Sequence, residues 1–124
     1  MKILIIADDE CVRKALAFFV RHFGWESQAC DQYADIVALL GNPGIDVVLL
    51  DHRMLGIDGL EIARNIRDHK IRVPVVLMSP IVDSVRHDAI ESLQISKVVS
   101  KPPSLNELRT AIEEAFRASS VAID

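Results

Sequence analysis

The stretch VVLLDHRMLGIDG (residues 47–59) decides the fold, because four consecutive apolar residues in it end on the carboxylate of Asp51. An uninterrupted run of valine and leucine is typical of a strand that is buried on both faces, as in a parallel sheet covered by helices. A carboxylate at the end of such a strand is costly to bury without compensation. The stretch therefore predicts a parallel sheet with a polar group of interest at one end of a central strand.

The same pattern of short apolar runs and longer amphipathic runs extends in both directions from this stretch. The other predicted strands cover residues 3–7, 26–30, 73–79 and 96–100. The predicted helices cover residues 11–23, 35–40, 60–69, 83–93 and 104–117. The last helix begins with a capping box of Ser104 and Glu107, and the second is expected to end near residues 41–44. Strands that alternate with helices predict an α/β fold with a five-stranded parallel sheet.

Length, composition and charge set the broad class of protein. The chain has 124 residues, 50% hydrophobic and 26% charged, which predicts a single globular domain over residues 1–124 with a frayed tail from about residue 119. A net charge of −4 gives no basic surface for nucleic acid. No apolar run approaches the length of a membrane span and no signal peptide is recognisable, so a cytoplasmic protein with reduced Cys11 and Cys30 is expected.

Polar residues follow four of the predicted strands: Asp8, Asp51, Ser79 and Lys101. The carboxyl ends of parallel strands share one edge of the sheet, where ligands of open α/β folds bind. Two neighbouring carboxylates repel each other unless a cation such as Mg²⁺ neutralises them. A lysine and a hydroxyl beside them could hold phosphoryl oxygens. Alone, each residue fits an N-cap, a turn or a solvated side chain; together they predict a Mg²⁺-dependent phosphoryl site with an aspartate nucleophile.

Three motifs in this arrangement make the chain resemble the receiver domain of response regulators in two-component systems. DHRMLGIDG (51–59) is similar to the phosphoacceptor segment of that family, with Leu55 in place of a proline. LMS (77–79) ends on the family's Ser/Thr, and SKPP (100–103) carries its Lys-Pro, whose peptide bond is cis in most members. The resemblance covers nearly the whole chain. It implies a doubly wound, flavodoxin-like (βα)5 fold with strand order 2-1-3-4-5.

The resemblance also implies roles for the matched residues. Asp51 would accept a phosphoryl group from a phosphohistidine, and Asp8, Asp51 and the main-chain carbonyl of Arg53 would bind Mg²⁺. Ser79 would bond a phosphoryl oxygen, and Lys101 would pair with Asp51 or with the phosphoryl group. The implied partner is a sensor histidine kinase or a histidine phosphotransfer protein. A homodimer through the fourth helix, the fifth strand and the fifth helix is common in the family. Neither nucleic-acid binding by this domain nor turnover catalysis is expected.

The acids at the end of the first strand do not sit in the family's usual register. The family has two adjacent acids there, a basic residue five positions before the first and an arginine five positions after the second. Counting from Lys2 and from Arg13 places the acids at Ala7 and Asp8. Asp9 then lies one position beyond, where it either contributes to the metal site or caps the first helix. The absence of one carboxylate predicts weaker Mg²⁺ binding.

Two further departures concern the conformational switch. The family has Tyr or Phe three residues before the lysine, whereas this chain has Val98, and Pro80 stiffens the loop after Ser79. A receiver-like interaction module that acts without phosphorylation is therefore an alternative to a phosphorylated switch. A haloacid-dehalogenase-type phosphatase also uses aspartate, Ser/Thr, lysine and Mg²⁺, but its DxD motif is missing from ADDE (7–10).

Three other residues receive interpretations of their own. His52 is expected to be a solvated loop histidine, with a place at the mouth of the pocket as the alternative. Gly59 is expected to supply a special backbone angle before the third helix. Arg67 is expected on a solvated face of mixed charge.

Overall fold

A computed structural model of the chain describes residues 1–41 and 44–121. Asn42 and Pro43, which belong to the predicted end of the second helix, lie outside the described residues, as do residues 122–124. The strands are β1 (Lys2–Ile6), β2 (Glu26–Cys30), β3 (Val47–Asp51), β4 (Arg53–Met54), β5 (Ile57–Asp58), β6 (Val75–Ser79) and β7 (Ile95–Ser100). The helices are α1 (Glu10–His22), α2 (Ile36–Gly41), α3 (Gly59–Asp68), α4 (His87–Ser92) and α5 (Leu105–Val121), with a 3₁₀ turn at Val82–Ser84.

Five of the strands form one parallel sheet in the order β2-β1-β3-β6-β7. This is the predicted order 2-1-3-4-5, because β4 and β5 form a separate two-stranded antiparallel hairpin between β3 and α3. Asp51 pairs with Met78, one residue before Ser79, and Ser79 pairs with Ser100, one residue before Lys101. The register therefore brings the ends of β3, β6 and β7 to the same edge.

Each face of the sheet carries its own hydrophobic core. Alternate residues of the central strands point to opposite faces, so that Ile5 and Leu49 pack with α1 and α5, while Ile6 and Leu50 pack with α2 and α3. Every residue of β3 and β6 is buried, as the continuous apolar runs predicted. Burial of both faces fixes the register of the strands, and hence the position of the polar groups at their ends.

Two helices differ from the predicted bounds. The pattern over residues 83–93 predicted one helix, but only His87–Ser92 is α-helical, because Val85 and Arg86 have extended backbones and Val85 is buried in the core. The last helix was predicted over residues 104–117, but α5 extends to Val121, into the segment predicted to be frayed from about residue 119. Neither glycine nor proline follows Ala118 up to that point, so no residue stops the helix.

The predicted capping box at the start of α5 forms by half. The Oγ of Ser104 accepts a hydrogen bond from the backbone N–H of Glu107 at 3.1 Å. The Glu107 carboxylate instead accepts a bond from the Oγ of Ser100 at 2.8 Å. This second bond ties the first turn of α5 to the end of β7, directly before Lys101.

Arg67 does not lie on a solvated face, which corrects the interpretation of the sequence. Its half-buried guanidinium donates to three backbone carbonyls, those of Leu93, Ile71 and Gln94, at 2.8, 2.9 and 3.2 Å. Burial lowers the pKa of Arg67 from its ordinary value. The side chain therefore joins the end of α3 to the end of α4, a helix in which no residue is buried.

Candidate functional site

Asp51 lies at the centre of the site and is completely buried. Its Oδ2 accepts a hydrogen bond from the Nζ of Lys101 at 2.7 Å, whereas its Oδ1 has no hydrogen-bond partner among the described residues. Burial raises the pKa of Asp51, since it outweighs the opposing effect of Lys101, and the negative charge of Asp8 raises it further. The carboxylate is thus held in place by one cation and has one oxygen available to another partner.

Asp8 and Asp9 follow β1 but have different contacts. The Oδ2 of the half-buried Asp8 accepts a hydrogen bond from the backbone N–H of Leu55 at 2.8 Å, across the loop that follows β3. Asp9 is exposed, and its Oδ1 accepts from the N–H groups of Cys11 and Val12 at 2.7 and 3.4 Å. Asp9 is therefore the N-cap of α1, as one of its two interpretations predicted.

Ala7 occupies the position at which the flanking residues place the first acid of the family. It is completely buried, and its carbonyl accepts a hydrogen bond from the guanidinium of Arg13 at 2.7 Å. Within residues 1–41 and 44–121, no group of three or more His, Cys, Asp and Glu side chains could together hold a metal ion. The negative charge of Asp8 raises the pKa of Asp51, so Asp8 and Asp51 are the pair of acids that we consider for a cation.

Ser79 and Lys101 lie at the predicted edge, and Lys101 is the one of the two that is shown hydrogen-bonded to Asp51. The Oγ of the buried Ser79 donates to the carbonyl of Ile81 at 3.0 Å and lies 3.1 Å from the Nδ1 of His52. The Lys101-Pro102 peptide bond is cis, as the resemblance implied.

His52 is the residue whose place the sequence did not reveal. The interpretation as a solvated loop histidine is wrong, because the residue is only 6% exposed. Its Nδ1 faces Ser79, and its Nε2 lies 3.3 Å from the Oδ1 of Asp58. The one sequence signal that pointed here was its position directly after Asp51, which prompted the alternative of a pocket-lining residue.

Gly59 is required by close packing and not by an unusual backbone angle. It is absent from the residues with positive φ, whereas Gly56 in the turn of the hairpin has a φ of 83°. A Cβ at position 59 would lie 2.2 Å from the carbonyl oxygen of Asp51. The first residue of α3 therefore rests directly on the backbone of the phosphoacceptor candidate.

The sequence profile of the family described as "Response regulator receiver domain" matches residues 3–113. This chain belongs to that family. The receiver domain is 30% identical over 122 residues to the regulatory protein AtoC of Escherichia coli, a match that covers 97% of this chain and 26% of AtoC. It is 31% identical over 125 residues to the tetrathionate response regulatory protein TtrR of Salmonella typhimurium, covering 96% of this chain and 58% of TtrR. The chain thus spans about a quarter to three-fifths of these curated relatives.

Solved structures agree with the family. The N-terminal domain of a response regulator/sensory box/GGDEF protein from Carboxydothermus hydrogenoformans superposes with a TM-score of 0.86 at 24% identity, and each chain is covered completely. The structure titled FixJ-N superposes with a TM-score of 0.83 at 26% identity, covering 94% of this chain and 93% of that one. These likenesses confirm the flavodoxin-like fold. Receiver domains of response regulators act as signalling switches that interact with a histidine kinase or a phosphotransfer protein.

Leu55 gives this receiver domain a contact that the proline of the family pattern could not make. Proline has no backbone N–H, whereas the N–H of Leu55 donates to Asp8 and its carbonyl accepts from the Nε2 of Gln32 at 2.9 Å. The Leu55 side chain itself is 77% exposed. The backbone at this position therefore joins the turn of the β4–β5 hairpin to the loops after β1 and β2.

The side chains of this receiver domain fit a hard divalent cation, the Mg²⁺ that receiver domains generally bind at the phosphorylation site. The buried Oδ1 of Asp51 has no partner among the described residues, and Asp8 lies close enough to raise the pKa of Asp51. Oxygen donors that carry negative charge are the ligands such a cation prefers.

No helix in the described part of the chain has the length and apolar character needed to cross a membrane.

Proposed function

We propose that this receiver domain takes a phosphoryl group from a phosphohistidine onto Asp51 and acts as a signalling switch. The supporting observation is the buried carboxylate of Asp51, with one oxygen 2.7 Å from Lys101 and the other without a partner among the described residues. The phosphohistidine would belong to a sensor histidine kinase or a histidine phosphotransfer protein. The homodimer through α4, β7 and α5 stays a prediction.

The transfer needs positioning and charge neutralisation rather than elaborate covalent chemistry. A carboxylate oxygen of Asp51 forms a bond to phosphorus while the phosphorus–nitrogen bond of the phosphohistidine breaks. The electron pair of that bond stays on the imidazole nitrogen, which takes up a proton. Lys101 then offers its positive charge to the oxygens of the transferred group, and the hydroxyl of Ser79 can turn from Ile81 to donate to one of them.

Asp8, Asp51 and the main-chain carbonyl of Arg53 would hold Mg²⁺, with Asp9 as an additional candidate. When bound, the cation neutralises charge on the phosphoryl oxygens and on the two carboxylates. We assign the main acidic role to Asp8, because Asp9 is engaged as the N-cap of α1. Asp8 approaches Asp51 closely enough to affect its pKa, so a shared cation would relieve their repulsion.

Intact-mass spectrometry after incubation with acetyl phosphate and Mg²⁺ tests the proposal. We expect one phosphoryl adduct on the chain, retained in Asp83→Asn, an exposed acid on the neighbouring loop, and lost in Asp51→Asn. Wild-type protein that forms no adduct would contradict the proposal. That result would favour the phosphorylation-independent interaction module, a function to which the replacement of the family's aromatic residue by Val98 also points. Steady hydrolysis of phosphate esters would instead indicate a phosphatase of the haloacid-dehalogenase type.

A further inference from the structure

Polar contacts connect the end of β6 to the first turn of α3 through a buried histidine. The Nδ1 of His52 lies 3.1 Å from the Oγ of Ser79, and its Nε2 lies 3.3 Å from the Oδ1 of Asp58. The same Oδ1 accepts a hydrogen bond from the backbone N–H of Leu60 at 2.8 Å, so Asp58 is the N-cap of α3. One imidazole therefore bridges the hydroxyl at the phosphoacceptor edge and the cap of a helix.

The 3.1 Å distance between the Oγ of Ser79 and the Nδ1 of His52 makes the bridge sensitive to the position of Ser79. With a neutral His52 whose Nε2 proton faces Asp58, Nδ1 is an acceptor and the hydroxyl of Ser79 donates to it; when that hydroxyl donates to the carbonyl of Ile81 instead, its oxygen accepts from a protonated Nδ1. A phosphoryl group on Asp51 would offer that hydroxyl a stronger, charged acceptor. Movement of the Ser79 oxygen towards it would lengthen the contact with His52.

The backbone of His52 also contacts the start of α3, so a movement of His52 would move the helix. The carbonyl of His52 accepts a hydrogen bond from the N–H of Gly59 at 2.7 Å. A Cβ at Gly59 would lie 2.9 Å from the Cα of His52, so the start of α3 and the residue after Asp51 are in direct contact. A displaced His52 therefore acts on α3 through both its side chain and its backbone.

Among residues 1–41 and 44–121, the side-chain hydrogen bonds that the structure shows for Ser79 do not lead to β7. Val98 stands where the resemblance implies an aromatic ring, and its side chain packs against the core beneath α3 and α4. Valine has no polar group that could follow the hydroxyl of Ser79. The polar contacts of Ser79 among the described residues lead instead to His52 and to Ile81.

We infer that His52 is a positioning residue that couples Ser79 to the N-terminus of α3, so that the state of Asp51 is read out at the first turn of α3 and the β4–β5 hairpin. The part of this inference that concerns signalling rests on the proposed phosphorylation of Asp51. An open pocket of about 380 Å³ lies over this segment, and its lining includes Arg53, Met54, Asp58 and Glu61. A partner that contacts this surface would sense the change directly.

A double-mutant cycle on the unphosphorylated full chain tests the coupling, with the amide hydrogen exchange of Leu60 measured by NMR. We expect Ser79→Ala to speed exchange at Leu60 about two- to five-fold, since a weakened N-cap loosens the first turn. Ser92→Ala, an exposed serine bonded to the carbonyl of Ala89, is the matched control and should leave Leu60 unchanged. In a His52→Gln background, Ser79→Ala should have no further effect.

Equal effects of Ser79→Ala with and without His52, or no effect at Leu60, would overturn the coupling. His52→Phe provides a second background, should His52→Gln disturb the fold.

A second experiment adds acetyl phosphate and Mg²⁺, with the adduct confirmed by mass spectrometry. The amide signal of Leu60 should then shift in the wild type and stay in place in His52→Gln. If the adduct forms but amide signals shift only in β7 and α5, the inferred readout at α3 is wrong, while the coupling between Ser79 and α3 is unaffected by that result. Absence of an adduct would contradict the proposed function, while the cycle still decides the coupling.

Discussion

The two halves of the carboxyl edge of the sheet depart from the family to different degrees. Around Asp51, the half formed by β1, β3 and Lys101 keeps the acid, the lysine and the contact between them. Around Ser79, the half formed by the ends of β6 and β7 has Val98 in place of an aromatic ring, and His52 contacts the hydroxyl. Transfer chemistry depends on a few charged groups about 3 Å apart, whereas a relay depends on how whole side chains pack. The transfer chemistry can therefore be retained while the side chains that relay the signal differ from those of the family.

The strongest test of the first half separates Asp8 from Asp9. We expect Asp8→Ala to lower the Mg²⁺ affinity about a hundred-fold, because it removes a charged ligand. Asp9→Ala should change that affinity less than about three-fold and instead lower stability by ~1 kcal/mol through loss of the α1 cap. Isothermal titration calorimetry and thermal melts measure the two effects. If Asp9→Ala loses Mg²⁺ binding as fully as Asp8→Ala, the two acids of the family correspond to Asp8 and Asp9 and not to positions 7 and 8.

The second half depends on Arg67, which secures the short helix α4 next to the loop after Ser79. Arg67→Ala should lower the free energy of unfolding by about 2 kcal/mol, because three carbonyls lose a charged donor. Arg64→Ala, an exposed arginine of the same helix, is the matched control and should cost less than about 0.5 kcal/mol. Urea unfolding of both variants measures these losses. Equal losses of unfolding free energy would mean that the hydrogen bonds from Arg67 to the three carbonyls contribute nothing specific.

Ala7→Asp brings the first half closer to the family pattern. The added carboxylate at this buried position should raise the Mg²⁺ affinity about ten-fold, since a site with more negative charge binds the cation more tightly. The same variant should be less stable than wild type without Mg²⁺, because its new charge is then uncompensated. Calorimetric titration gives the first quantity and melts in EDTA the second. Unchanged affinity would show that position 7 does not face the cation.

Sequence reasoning located the edge of the sheet but not all of the neighbours that meet there. Continuous apolar runs identified β1, β3 and β6, and the rule that parallel strands end at one edge was enough to bring Asp51 and Lys101 together. The burial of His52 depends on contacts with Ser79 across the sheet and with Asp58 beyond the hairpin. Spacing along the chain carries no information on such contacts, and it likewise could not show that Gly59 is needed for close packing.

The burial of Asp51 should appear as a pH-dependent cost to stability. Its pKa is raised in the folded state, so the folded protein favours the protonated form and loses stability as pH rises through that pKa. Asp51→Asn is neutral at every pH and should melt a few degrees higher than wild type in EDTA near neutral pH. The difference should shrink as pH falls towards about 4, where aspartate ordinarily titrates. Thermal melts over this pH range test the prediction, with Asp83→Asn, which changes an exposed acid, as the control. If the difference in melting temperature between Asp51→Asn and wild type widens as the pH falls, the predicted direction of the pH dependence is wrong.

The smallest effect concerns the contact that Leu55 adds to the better-preserved half. Its N–H donates to Asp8 at 2.8 Å and so occupies an oxygen of a metal-ligand candidate. Leu55→Pro removes that donor, and we expect the Mg²⁺ affinity to rise about three-fold because the carboxylate becomes freer to bind a cation. Leu55→Ala keeps the N–H and truncates a side chain that is 77% exposed, so its affinity should match wild type. If Leu55→Pro weakens binding instead, the N–H serves to orient Asp8 for the cation, and the departure at position 55 supports the site rather than competing with it.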